Sequence, residues 1–238
     1  MIRTALLALA LTFAAAAVAG EPYAENRHFR IVQPAVPTEV KPAQVEVIEF
    51  FSIGCPHCSE FEPYLQSWIK RKPANVKVVR VPATFNPFFK VLAKAYFALE
   101  DVKGADKGVP VLFDALHVDR EPSVLGPLTE YNRRVVSNDV EGAAAAEQAV
   151  LTALAELLER KAGVNAKKFR SAWSSFSMTA RLARADATFR RYGITGVPYL
   201  AINGKYTTGA GRPLAIRGYD ELMKVAEHLI SLESKPAK

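Results

Sequence analysis

Gln44–Lys72, QVEVIEFFSIGCPHCSEFEPYLQSWIKRK, is the stretch whose reading decides the fold. Gln44 to Ser52 alternates at first and is then continuously apolar and rich in β-formers. That is the pattern of a strand covered on both faces. Gly54 ends it. From Pro56 to Lys72 the apolar positions are Phe61, Tyr64, Leu65, Trp68 and Ile69, a helical spacing. Pro56 suits the first turn of a helix, where its missing N–H costs nothing. Asn75 to Val81 (NVKVVRV) then supplies a second strand. Strand, helix and strand in this order imply a parallel pair joined by a right-handed crossover.

The chemistry of this stretch is in Cys55-Pro56-His57-Cys58, placed between the buried strand and the helix start. Cys55 precedes the helix, so its sulfur faces unpaired N–H groups and the positive end of the macrodipole. Both favour thiolate over thiol. His57 adds positive charge close by. Cys58 falls one turn in, tied to the helix and shielded. A stabilised thiolate is a good leaving group and weakens the disulfide that competes with it, so the pair is expected to be oxidising. A structural disulfide is an alternative, although so small a ring fixes little chain entropy. Half of a zinc site is another, but His28, His57, His117 and His228 show no ligand spacing. Covalent haem attachment needs His after the second Cys, and position 59 is Ser. That reading is excluded.

Further along, Asn86 to Tyr192 shows no convincing strand. Helical periodicity runs over Phe88 to Glu100 and Val109 to Val118, and a third helix begins near Pro122 and continues through Val136. Asp139 can cap an Ala-rich helix, Gly142 to Ala162, ended by Gly163. Asn165 caps a short helix to Trp173, and Ser177 caps another to Tyr192, stopped by Gly193. Strands resume at Pro198 to Ile202 and Lys205 to Thr208, flanking Asn203-Gly204, a strong hairpin signal. Arg217 to Leu232 is a closing helix. The plan is β–α–β, a block of helices, then β–β–α. An α/β domain split by a helical insertion fits it better than two domains in series.

Thr195-Gly196-Val197-Pro198 opens the first hairpin strand, which is expected to lie near the CPHC helix. Such a proline suits a cis Val197–Pro198 bond, with an ordinary trans turn proline as the alternative. A cis bond would turn the Val197 backbone outward, where an extended polypeptide could pair with it by strand addition. Glu49 is a second candidate. A carboxylate inside an apolar strand is rare unless it is paired or has work to do. It is either a paired core acid or a proton acceptor for Cys58 during exchange.

Composition agrees with a globular protein. The 238 residues are 50% hydrophobic and 23% charged, which excludes a disordered chain and a fibrous or multispanning one. Two cysteines exclude a disulfide-dense scaffold and any four-cysteine metal site. Arg3, the apolar run Ala5 to Val18 and Ala17-Val18-Ala19 form the pattern of a signal peptide over residues 1–19. The run is shorter than the ~20 residues of a membrane span; an uncleaved anchor is the alternative. The expected compartment is a bacterial periplasm, where disulfides persist. Between this leader and the deciding strand lie Pro22, Pro34, Pro37 and Pro42, with a strand-like piece from His28 to Val32. The formal charge of +7 comes from scattered basic pairs mixed with acids, so no nucleic-acid partner is expected.

VIEFFSIGCPHC followed by SEFEPYL, with TGVPYLAINGKY later in the chain, resembles the DsbA family of periplasmic thiol:disulfide oxidoreductases. The resemblance spans essentially the whole mature chain, and CPHC is specific to the DsbA branch; thioredoxins carry a Gly-Pro pair there. It implies an α/β thioredoxin fold, residues 20–85 and 193–238, with a helical domain, 86–192, inserted between the βαβ and ββα halves. It implies that Cys55 is the nucleophile, Cys58 its buried partner, His57 the tuning residue and Val197-Pro198 the substrate-binding cis-proline loop. Glu49 and Glu62 match the family's acidic pair beneath the active site, with Arg80 where the best-known member has Lys. The implied activity is oxidation of newly exported, cysteine-containing proteins by a monomer without metal or organic cofactor. A DsbB-like, quinone-linked membrane protein would reoxidise it. The rivals are a disulfide isomerase or reductase of the same fold and a peptide-binding holdase without redox turnover. Periplasmic isomerases carry an N-terminal dimerisation domain, and only a short arm precedes the fold here.

Overall fold

The computed structural model describes residues 22–210 and 213–234. The signal-peptide expectation for residues 1–19 lies outside them. A two-residue strand β1 (Arg30–Ile31) precedes β2 (Val45–Phe51), α1 (Pro56–Arg71) and β3 (Val76–Pro82). The helices α2 (Pro87–Asp101), α3 (Ala105–Phe113), α4 (Pro122–Val136), α5 (Val140–Ala162), α6 (Ala166–Trp173) and α7 (Met178–Tyr192) follow without an intervening strand. β4 (Tyr199–Ile202), β5 (Tyr206–Thr208) and α8 (Tyr219–Glu233) complete the order.

The strands form one sheet in the order β1-β5-β4-β2-β3. β2 runs parallel to β3 and antiparallel to β4. Hydrogen-bonded on both edges and buried at every residue, it is the central strand its sequence describes. Its pleat divides the core. Val45 and Val47 pack with Leu65 and Trp68 of α1 and Leu222 and Leu229 of α8 on one face. Ile48 and Phe50 meet Phe189 and Tyr192 of α7 on the other. Phe51 and Ile53 join the large cluster of the helical block, and so do Cys55 and Cys58. The thiols therefore lie where α1 meets that block. On α1 the buried face is Cys58, Phe61, Glu62, Leu65 and Trp68, while Tyr64 of the expected apolar stripe is exposed.

Side-chain caps form at the expected Asp139 and Asn165, and also at Asn86. Asn86 accepts from the Phe89 N–H, Asp139 from Gly142 and Asn165 from Lys168, at 2.8, 2.9 and 2.9 Å. Ser177 departs from expectation: it precedes α7, but its side chain caps no N–H. The expected helix from Val109 to Val118 also differs. It begins four residues earlier, at Ala105, and holds Pro110 in its interior because Gly108, Val109, Leu112 and Phe113 are buried there. Packing outweighs the bond that proline forfeits. The helix then widens into a π-turn, Asp114–Val118, closed by Asp119 N–H donating to the Asp114 carbonyl at 2.8 Å.

The β4–β5 hairpin turns at Asn203 and Gly204, with φ of 50° and 69°. Ile202 pairs with Tyr206, which makes the loop three residues long. Glycine is required at 204 for a second reason. A Cβ there would stand 1.8 Å from the Val36 carbonyl oxygen of the N-terminal arm. Val36 N–H donates to the Gly204 carbonyl at 2.9 Å, so the arm is bound to the hairpin.

Candidate active site

Cys55 is the N-cap of α1, with extended φ and ψ of −98° and 119°, and Pro56 starts the helix. A cysteine makes no side-chain cap here, so the first N–H groups of the helix are left for whatever charge the sulfur carries. The Cys55 side chain is 7% exposed and Cys58 is fully buried, and both are free thiols. The two differ sharply in acidity. Cys55 is lowered to about 6, chiefly by the hydrogen bond from the Cys58 thiol. The backbone N–H groups of Cys58 and His57 add to this, the charge of His57 contributes least, and burial opposes. Cys58 is pushed well up by burial and by its bond to Cys55, although the Ser52 N–H donates to its sulfur at 3.4 Å.

His57 and Pro56 are exposed on the rim of the site. The His57 ring points to Glu60, Nδ1 to Oε2 3.3 Å, rather than to a cysteine. The Val197–Pro198 peptide is cis. Its loop reaches the site from the other half of the fold, with the Val197 carbonyl oxygen 3.6 Å from the Cys55 sulfur. The sequence-derived pair Val197 and Pro198 therefore lies beside Cys55.

Beneath α1, Glu49 of β2 stands opposite Arg80 of β3 in the strand register. Arg80 donates from Nε to Glu49, and from Nη1 and Nη2 to both oxygens of Glu62, at 3.2 and 2.5 Å. The guanidinium also stacks over Phe51, 4.2 Å from the ring centroid. One planar cation thus serves two buried carboxylates, which suits the fork of arginine. Gln66 completes Glu62 with a bond of 2.9 Å. Glu49 Oε1, by contrast, is buried without a hydrogen-bond partner. Burial raises Glu49 to about 7 against the pull of Arg80, with Glu62 adding to the rise. Its negative charge in turn helps to raise Cys58.

Three contacts at the site were not among the sequence-derived residues. Tyr219, at the start of α8, places its hydroxyl 3.1 Å from the His57 carbonyl oxygen. His117, in the π-turn, donates from Nε2 to the Ile53 carbonyl at 2.8 Å, just ahead of Cys55. Glu60 pairs with His57. Only Glu60 left a signal, since its position three residues after His57 places both on one helix face. Tyr219 and His117 reach the site through tertiary packing that no local pattern encodes. Gly54 is the fourth element of the turn: a Cβ there would come within 2.6 Å of Phe88 and 2.9 Å of Leu92. Among the described residues no group of three or more His, Cys, Asp or Glu side chains could hold a metal ion.

A sheet of this topology, with an acidic thiol capping the helix after its central strand and a cis-proline loop facing it, defines a thioredoxin-type dithiol oxidoreductase. Comparison with known proteins agrees and narrows the class. Residues 40–219 match the family model described as thioredoxin. The thiol:disulfide interchange protein DsbA of Pseudomonas aeruginosa is 31% identical, over all of this chain and 98% of its own length. DsbA of Burkholderia cepacia is 30% identical, over 94% of this chain and 93% of its own. The crystal structure of P. aeruginosa DsbA superposes with a TM-score of 0.72 at 28% identity, covering 89% of this chain and 94% of that one. The chain belongs to the DsbA family of thiol:disulfide oxidoreductases.

Proposed function

We propose that this protein is a periplasmic dithiol oxidase that passes its Cys55–Cys58 disulfide to newly exported proteins. The observation that carries the reading is the asymmetry of the pair: an acidic, slightly exposed Cys55 beside a buried Cys58 of raised pKa. A substrate thiolate attacks the Cys55 sulfur, and the pair's disulfide breaks with Cys58 as leaving group. Cys58 takes up a proton, and a mixed disulfide joins substrate to Cys55. A second substrate thiolate attacks the substrate sulfur of that bond and expels Cys55 as a thiolate. The substrate has lost two electrons and gained a disulfide; the protein is reduced. Stabilisation of the Cys55 thiolate favours this last departure.

Glu49 serves as proton acceptor for Cys58 when the pair is reoxidised, its value near neutrality suiting transfer in either direction. Glu62 and Arg80 hold it in place. The extended substrate segment pairs with the Val197 backbone beside Pro198, and Pro56 and His57 form the exposed rim it meets. Reoxidation falls to a DsbB-like membrane quinone reductase. The oxidase acts as a monomer, after removal of residues 1–19, with residues 20–85 and 193–238 as the redox domain and 86–192 inserted into it.

The test is the reduction potential of the Cys55–Cys58 pair against glutathione. A pair clearly more oxidising than glutathione, with oxidation of reduced substrate abolished when both cysteines are Ser, supports the reading. Chaperone-like protection that survives the double Ser variant, without redox turnover, overturns it in favour of a holdase.

A further inference from the structure

Glu60 has no part in the exchange steps above, yet it is held against a residue of the motif. Its Oε2 lies 3.3 Å from His57 Nδ1 and 3.1 Å from the Tyr219 hydroxyl. That hydroxyl also lies 3.1 Å from the His57 carbonyl oxygen, and it has one proton for the two acceptors. The Tyr219 ring is seated between Phe61 and Tyr64, with centroids 5.4 and 5.5 Å away. Two aromatic neighbours thus fix the hydroxyl, and the hydroxyl helps to fix the carboxylate. We propose that Glu60, held by Tyr219, is a positioning residue that restrains the oxidising strength of the Cys55–Cys58 pair by neutralising the charge His57 presents to Cys55.

The inference rests on the oxidase reading and deepens it. Reduction of the protein leaves Cys55 as a thiolate, so any cation near that sulfur favours the reduced form and makes the disulfide a stronger oxidant. An imidazolium in contact with a carboxylate acts as an ion pair, whose field falls off faster than that of a lone cation. Among the described residues, the other titratable groups recorded around this turn are the Cys55 and Cys58 thiols, Tyr219 from α8, and His117, which is engaged with Ile53. The segment Ile194 to Pro198 carries no charged side chain. His57 and Glu60 are 71% and 61% exposed, so the effect is screened and modest.

The experiment uses the equilibrium with glutathione. Protein disulfide and two glutathione thiols give protein dithiol, with Cys55 ionised and a proton released, and glutathione disulfide. At about pH 6.5 most of Cys55 is thiolate by its value near 6, while an ordinary imidazole is about half charged and ordinary glutamates are ionised. There Glu60→Gln is expected to raise the equilibrium constant by about two- to fivefold, and Glu60→Lys further in the same direction. The gain should vanish in a His57→Ala background and shrink in high salt. An unchanged or lower constant, or the full gain without His57, overturns the proposal. A wild-type pair no more oxidising than glutathione would defeat the oxidase reading itself, a result separate from the effect of Glu60.

Discussion

The Cys55 sulfur lies 3.6 Å from the carbonyl oxygen of Val197, a residue 142 positions away in the chain. A carbonyl oxygen accepts hydrogen bonds, so this side of the sulfur favours the thiol. The groups that favour the thiolate, the Cys58 thiol and the backbone N–H groups of Cys58 and His57, come from α1. Ionisation of Cys55 therefore removes the donor that the Val197 carbonyl oxygen faces.

Ultraviolet absorbance of the thiolate in the reduced protein should show Cys55 titrating near 6, against an ordinary 9.0. Because the Cys58 thiol is the largest contributor, Cys58→Ala should raise this value more than His57→Ala does. His57→Ala keeps the backbone N–H and removes only the smallest contribution, so the value should rise but stay well below 9.0. The depressed folded-state value stabilises the reduced form above the unfolded thiol range, and this stability is lost as pH falls through about 6. Urea unfolding of the reduced protein should accordingly strengthen between about pH 6 and 9, by up to about 4 kcal/mol. A larger effect of His57→Ala than of Cys58→Ala would contradict the geometry.

The plan of the chain was legible because periodicity and punctuation agree in it. β2 reads as a buried strand since hydrophobic residues fill both faces, and Gly54, Asn86, Asp139, Asn165 and Gly193 mark ends that the backbone respects. The boundaries that failed are those where packing overrides a local cue. Val109 reads as a helix start yet lies inside α3, which runs on through Pro110, and the π-turn after it follows no residue pattern. The same division holds at the site. Cys55, Cys58 and Pro198 announce themselves through motif and placement, and Glu49 through a charge in an apolar strand. Tyr219 and His117 are invisible because their roles depend on distant segments. The weight given to His57 illustrates a further limit: sequence places a positive charge near Cys55 and Glu60 on the same helix face, but not the contact between them.

Glu49 should make the protein's stability fall as pH rises. Its folded value of about 7 stands above an ordinary 4.5, so the folded state holds the proton more tightly than the unfolded chain. The corresponding stability is complete below about 4.5 and is lost as pH rises through about 7. The loss is at most about 3 kcal/mol by linkage. Glu49→Gln should flatten urea midpoints between these limits and slow reoxidation of the buried thiol. A variant with the wild-type pH dependence would show that another group is responsible.

Gly54→Ala should disturb the redox turn through the helical block. The added Cβ meets Phe88 at 2.6 Å and Leu92 at 2.9 Å, so those side chains must shift within a packed core. Overpacking of this kind costs about 1–3 kcal/mol, measurable as a lower urea midpoint with an unchanged slope. Because Gly54 directly precedes Cys55, the thiolate titration should broaden or move as well. Unchanged stability would mean that Phe88 yields freely and that α2 does not fix the turn.

Arg80 gives the sharpest test of the acidic pair. Its side chain is 13% exposed, and it alone supplies positive charge to Glu49 and Glu62 among their recorded partners. Arg80→Met would leave two carboxylates facing each other in a buried setting, a loss of about 3–5 kcal/mol at alkaline pH where both are ionised. Arg80 also holds Glu49 down, so without it Glu49 should rise further above 7 and take a proton near neutrality. The destabilisation should therefore be largest at about pH 9, where wild-type Glu49 is ionised and paired, and partly relieved at about pH 6, where Glu49 holds its proton. Arg80→Lys should fall between the two, because an ammonium restores the charge but not the fork that reaches both partners. Urea unfolding of the three proteins at about pH 6 and pH 9 distinguishes these cases. A loss in Arg80→Met that is the same at both pH values would mean that lost packing against Phe51, rather than the unpaired carboxylates, accounts for it.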